Sequence, residues 1–310
     1  NDITGRTETY TWMGGPWNAE DDGLWAPPTL DQRNASQFFY YMLEVPDGAT
    51  MTSDTDAADW AWFDPEYVIT MEEWRDEADR ELPTRDDCDI TTMLAWKGAP
   101  VNRWYVHMTA HDDTLKHGGI TVNRWAGDML GFAMDPQDHG RDRGNGGYSM
   151  EFVTAPGDVT TNYAERYPES EAQSSPEAWL EYGEAPWLNG AVRVDPPEAW
   201  AEESWTSDTG GDTYYEWDIA IMEFLEDGGP AASTPYDMDA NAGEGGAGLK
   251  FVFWAEDGDP AFNNDMTVRG PEGSARQYFA YAVLLRMGEY TAQTPTAVSE
   301  TTWGRIKDSF

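Results

Sequence analysis

The sequence predicts an all-β fold, a two-sheet β-sandwich carrying an N-terminal extension and a long inter-strand insertion, and three observations predict it. From about residue 54 the chain reads as short alternating or apolar runs bounded by Gly, Pro and Asp. The 16 Trp, 15 Tyr and 11 Phe supply large apolar bodies for a core, although mean hydropathy is only −0.67. The low hydropathy therefore belongs to a polar surface rather than to disorder.

Taken in order, residues 1–53 form an extension, in which TETYTWMGG (7–15) is strand-like and PWNAEDDGLWAPPTLDQRN (16–34) is loop-like. SQFFYYMLEV (36–45) is apolar at nearly every position, so periodicity leaves a buried strand and a short helix both open. Such a run must be buried, against this chain's own sandwich or by completing the sheet of a neighbouring copy. Within 54–290, DITTMLAWK (89–97) and NRWYVHMTAHDD (102–113) are parted by Gly-Ala-Pro turn chemistry. GDMLGFAMDP (127–136) and GYSMEFVTA (147–155) flank the loop QDHGRDRGNG (137–146). TYYEWDIAIMEF (213–224), GLKFVFWAEDGDP (248–260) and ARQYFAYAVLLRM (275–287) complete the set. Strands are expected near 102–110, 128–134, 147–154, 213–221, 249–255 and 277–285. The stretch 156–212 has no clear period, but Trp179, Trp187, Trp200 and Trp205 mark it as an ordered insertion, and 291–310 as a tail.

With 58 acidic against 19 basic residues the formal charge is −39. That surface repels phosphate, which argues against nucleic acid and anionic lipid as partners, and it suits a halophilic setting in which salt screens self-repulsion. The single Cys88 forbids an intrachain disulfide, leaving core area, ions or assembly to stabilise the fold. No run of about 18 apolar residues offers a membrane span. A chain that opens at Asn1 is read as a mature exported protein, extracellular or periplasmic.

No HExxH, GxSxG, Walker loop or CxxCH is present, so zinc-protease, hydrolase, NTPase and c-type haem readings lack support. Glu216 and Asp218 share a strand face about 7 Å apart, a spacing that could mimic a glycosidase pair. In a chain this acidic such pairs arise by chance, and the reading is non-catalytic. His107 and His111 share a face but lie roughly 13 Å apart, too far for one metal. His117 and His139 complete the histidines. Calcium is suggested by three clusters: Asp237, Asp239 and Asn241 at alternating positions; Asp257, Asp259, Asn263 and Asp265; and Asp135, Asp138 and Asp142. The first departs from an EF-hand loop in having Ala242 at the tight turn and Gly248 where a bidentate Glu belongs.

For ligand contact the aromatic residues come first, because a pyranose packs its apolar face on indole while its hydroxyls need polar partners. Trp125 and Trp187 lie in loop-like contexts. Trp254 alternates with Phe251 and Phe253, which read as core, just as Trp104, Val106 and Met108 share one face of their run.

The order of the segments DTDAADWAWFDP (54–65), RWYVHMTAHDD, GDMLGFAMDPQDHG, GYSMEF, TYYEWDIAI and GLKFVFWAEDGDP resembles family 9 carbohydrate-binding modules and their DOMON-like relatives, over about residues 54–290. The resemblance implies a jelly-roll sandwich, structural calcium, a strand Glu used structurally, and in the founding members a sugar held between two Trp rings. It points to a secreted, non-catalytic protein that binds carbohydrate or cell-surface glycan. One alternative is a structural subunit of an extracellular homo-oligomer or filament, joined through the N-terminal extension. Another is a haem b-binding electron-transfer subunit of a molybdoenzyme, since some members of the superfamily hold haem by Met plus Lys or His. This chain has 13 Met and His107, yet it lacks that subfamily's Met-Gly loop followed by a Trp-x-Trp strand.

Overall fold

The structure, a computed structural model, describes residues 39–76, 81–115, 129–135, 148–155, 158–166, 188–195, 210–223, 232–242, 249–258, 263–268 and 280–290. Twelve strands run through them in chain order: β1 (Phe39–Glu44), β2 (Trp74–Asp76), β3 (Cys88–Lys97), β4 (Arg103–Asp112), β5 (Met129–Asp135), β6 (Tyr148–Ala155), β7 (Asp158–Arg166), β8 (Leu188–Asp195), β9 (Gly211–Ile219), β10 (Leu249–Gly258), β11 (Asn263–Val268) and β12 (Ala280–Leu285). Helix among the described residues is confined to 3-10 turns at Ala57–Trp60, Pro65–Tyr67 and Met71–Glu73. Each strand expected between residues 102 and 285 appears within a few residues of its place, while the strand-like run 7–15 lies outside the described residues. The segment 156–212, in which no period was legible, supplies β7 and β8.

The protein is an all-β sandwich whose two layers belong to one hydrogen-bonded sheet, in the order β7-β6-β5-β10-β12-β1-β3-β4-β9-β8, with β11 and β2 continuing from β10. The sheet folds over on itself. Trp104 of β4 meets Phe251 and Phe253 of β10 with ring centroids 6.2 and 5.9 Å apart, although β12, β1 and β3 separate those strands in the sheet. The two ends of the order, β7 and β8, come into contact, so neither outer edge lies open along its whole length.

The inner faces enclose a core in which Trp74, Trp96, Trp104, Trp217 and Tyr215 are buried among Tyr40, Met42, Val106, Met108, Phe251 and Phe253. A second apolar cluster lies on the outer face of β12, β1, β3 and β4. There Trp60, Trp62, Phe63 and Tyr290 cover Tyr41, Leu43, Ala95, Tyr105, Val283 and Leu285. The run left open between helix and strand is β1, paired in parallel with β12 and with β3. It lacks alternation because Tyr40 and Met42 face the inner core while Tyr41 and Leu43 face the outer one, as parallel strands covered on both sides do. At roughly 1.5–3 kcal/mol for each large apolar side chain buried, the three aromatic residues of segment 60–63 hold it firmly against the sheet.

At one end of the sandwich the β3–β4 turn is clamped to residues 232–242. Asn102 donates from Nδ2 to the Tyr236 carbonyl (2.7 Å), and the Ala99 amide donates to Asp239 Oδ2 (2.7 Å). Arg286 donates to the Asp239 carbonyl at 2.6 Å and also pairs with its Oδ1. Gly98 is required there, because a Cβ at that position would collide with the Asp239 carboxylate.

Candidate functional site

Among the described residues, segment 52–63 covers one half of the outer face of β3, β4, β9 and β8 and stops short of the other. Under the segment lies Glu216, 2% exposed, whose Oε1 accepts from the Trp60 indole (2.5 Å) and whose Oε2 accepts from the amides of Thr55 (2.7 Å) and Asp54 (3.1 Å). His107, equally buried, places Nδ1 3.7 Å from Glu216 Oε1 and packs its ring against Trp60. Local chemistry fixes the segment's course: Asp56 caps the turn at Ala57–Trp60 by accepting from the Ala58 amide at 2.9 Å. Two residues along β9, Asp218 accepts from Arg103 (2.9 Å) and from Asn189 (3.0 Å). Burial pushes the neighbouring Tyr105 hydroxyl up to about 12, with the Asp218 charge adding to the shift and Arg103 opposing it. Glu216 and Asp218 thus share a face as the alternation required, but each is held by protein donors, an arrangement of anchors rather than of a general acid and base.

Beyond the segment the same face carries two rows set by strand register. One is Thr91, Thr109, Tyr214 and Arg193; the other is Asp89, His111, Asp212 and Asp195. Their side chains order one another. The Arg193 guanidinium lies 3.9 Å from the centre of the Tyr214 ring, and the Tyr214 hydroxyl donates to Asp212 Oδ2 at 3.2 Å. Asp212 Oδ1 pairs with His111 Nδ1 at 2.8 Å. Burial raises the Asp89 carboxyl above its ordinary range, with Arg85 and His111 partly offsetting the effect. The result is a shelf with one aromatic ring, a guanidinium, a carboxylate fixed by two donors, and flanking hydroxyls.

Of the residues singled out from sequence, Trp125, Trp187, Asp138, Asp142, Asp259, His117 and His139 lie outside the described residues. Trp254 occupies the register of β10 that alternates with the buried Phe253 and Ala255, opposite Gly131 of β5 and Thr267 of β11. Asp135 ends β5, while Asn263 and Asp265 belong to β11. Asp257 is buried. In the 237–241 loop the carboxylates diverge: Asp237 accepts from the Ala240 amide at 3.0 Å, whereas Asp239 is taken by Ala99 and Arg286. The Asn241 side chain donates to the Asp237 carbonyl (2.7 Å). Among the described residues no three His, Cys, Asp or Glu side chains gather as a metal site.

Sequence reasoning passed over Tyr214, Arg193, Thr109 and Asp212. The alternation of TYYEWDIAI already placed Tyr214 on the face of Glu216 and opposite the core residues Tyr215 and Trp217. Arg193 carried no such signal, because its strand lay in the stretch without a period.

No family model and no curated protein matches the sequence. Solved structures similar to the chain include a Bacteroides uniformis protein for which carbohydrate binding has been suggested, at TM-score 0.46 and 10% identity, covering 80% of this chain and 99% of that one. A family 9 carbohydrate-binding module from Caldicellulosiruptor kristjanssonii in complex with cellotriose gives TM-score 0.45 and 13% identity over 84% of this chain and 97% of the module. A family 9 module from the same organism in complex with glucose gives 0.38 and 15%, over 79% and 94%.

Proposed function

We propose that the protein is a non-catalytic glycan-binding protein, with the shelf on β3, β4, β9 and β8 as its ligand contact. The observation that carries this reading is the fixed Tyr214: its ring is braced by Arg193 at 3.9 Å and its hydroxyl is tied to Asp212. A sugar ring needs an apolar surface beside rigid donors and acceptors, and a shelf ordered in advance loses little entropy on binding. The face has an acceptor in Asp212, donors in Arg193 and His111, and hydroxyls in Thr91 and Thr109, all in two adjacent rows. Trp254 on β10 stands in this proposal as a second aromatic platform.

Calorimetric titration with neutral oligosaccharides of several linkages tests the reading. Tyr214→Ala is expected to lose about 2 kcal/mol, roughly thirtyfold in Kd. Wild-type protein that takes no oligosaccharide, or Tyr214→Ala and Trp254→Ala variants that both bind like wild type, would refute it. Export, and calcium bound by the clusters around Asp257–Asp265 and Asp135–Asp142, belong to the same proposal.

A further inference from the structure

We infer that Thr55 is a positioning residue that holds Arg193 against Tyr214, an inference that rests on reading the shelf as the glycan site. Thr55 has φ = 67°, in the left-handed region, where a β-branched residue is an outlier. Such a conformation persists only where the surroundings over-determine it, and here they do. The Thr55 amide donates to buried Glu216 at 2.7 Å, the preceding amide donates to the same oxygen, and Thr55 itself is 4% exposed. Glycine would adopt this backbone without strain. What glycine would lack is Oγ1, which donates to the Asp54 carbonyl at 2.5 Å and accepts from Arg193 Nε at 3.3 Å.

Arg193 needs such a partner. Its side chain is 46% exposed, and its ion pair to Asp195 is a loose 3.7 Å contact between half-exposed groups. A long side chain held only by exposed charges spreads over many rotamers. A hydrogen bond at Nε fixes the guanidinium plane, and with it the stacking on Tyr214. The path therefore runs from the buried Glu216 carboxylate, through the constrained Thr55 backbone and its hydroxyl, to Arg193 at the shelf.

The test uses Thr55→Gly, Thr55→Ala and Thr55→Ser, with glycan affinity, thermal midpoint and the NMR signal of the Arg193 Nε–H, assigned by its loss in Arg193→Lys. In Thr55→Gly the fold is expected to stay intact while the Arg193 Nε–H signal shifts and exchanges faster with water, and affinity falls about threefold to tenfold. Thr55→Ala, which cannot relax as glycine does, is expected to show the same loss at the shelf with a lower melting temperature. Thr55→Ser, which keeps the hydroxyl, is expected to restore both the signal and the affinity. An unchanged Arg193 signal in Thr55→Gly and Thr55→Ala would overturn the inference, as would a serine variant that restores neither. Should wild-type protein bind no glycan, the functional reading falls, and the Arg193 signal alone decides the role of Thr55.

Discussion

Replacing Glu216 by glutamine changes one charged, doubly accepting group into one with a single acceptor oxygen, in a place with three donors to satisfy. The Trp60 indole approaches one carboxylate oxygen at 2.5 Å, and the Thr55 and Asp54 amides approach the other at 2.7 and 3.1 Å. Whichever way the amide turns, its NH2 group faces at least one N–H. A hydrogen bond to a charged group contributes about 1.5–3 kcal/mol, and a buried donor left without a partner costs about 1–3 kcal/mol. The expected loss is therefore about 3–5 kcal/mol, in the range seen when a buried charged network is broken. With a urea dependence near 3 kcal/mol per molar, the unfolding midpoint should fall by roughly 1 M or more. Near-ultraviolet circular dichroism should report the same event locally, because Trp60 and Trp62 stack at 6.3 Å with planes 15° apart within this segment. A midpoint shift below about 0.3 M with an unchanged near-ultraviolet spectrum would show that Glu216 is not the anchor of segment 52–63.

Gly98→Ala is expected to lower stability by about 1–3 kcal/mol, read by denaturant unfolding, because the new Cβ collides with an Asp239 carboxylate pinned by Ala99 and Arg286. Burial pushes Tyr105 up to about 12 from an ordinary 10.0, and pushes Tyr236 and Tyr290 up as well. In the window from about pH 10 to about pH 12 the unfolded chain loses those protons first, so stability should fall as pH rises through it. Urea midpoints that stay flat from pH 9 to pH 12 would contradict this. If calcium stiffens the acidic loops, thermal midpoints should rise with added calcium and fall with chelator at constant ionic strength; equal midpoints would remove the ion from the account.

The strands that alternate were readable because every second residue of each faces the core. β4 places Trp104, Val106 and Met108 inward, and β10 does the same with Phe251 and Phe253, as their sequences require. β1 was ambiguous for the opposite reason: an outer aromatic layer buries its second face, and the period that distinguishes a strand disappears. Tyr214 was hidden by company. It stands beside the buried Tyr215 and two residues from Glu216 in a strand crowded with aromatics, and among the described residues the extent of segment 52–63 decides which outer-face residues are covered. That extent is a tertiary fact, set by Glu216 meeting amides some 160 residues earlier in the chain. At Asp237, Asp239 and Asn241 the spacing is local, but the partners of the central carboxylate, Ala99 and Arg286, are distant in sequence and could not be read from it.

One consequence of this layout is that stability and binding share a border. Glu216 and Tyr214 lie two residues apart on the same face of β9; one anchors the covering segment and the other stands just outside it. Thr55 touches both sides of that border, by its amide to Glu216 and by its hydroxyl to Arg193. A change that loosens the segment without unfolding the sandwich should therefore disturb the shelf before the inner core, since local opening of an outer layer is cheaper than global unfolding. Trp60→Phe keeps an aromatic ring at the site while removing the indole donor to Glu216, and it makes the distinction measurable. Amide hydrogen exchange should rise at Asp54 and Thr55 in that variant while the β3, β4 and β9 ladders stay protected. Uniformly faster exchange across those ladders would mean that the segment and the sandwich open as one unit, and that the shelf has no border of its own.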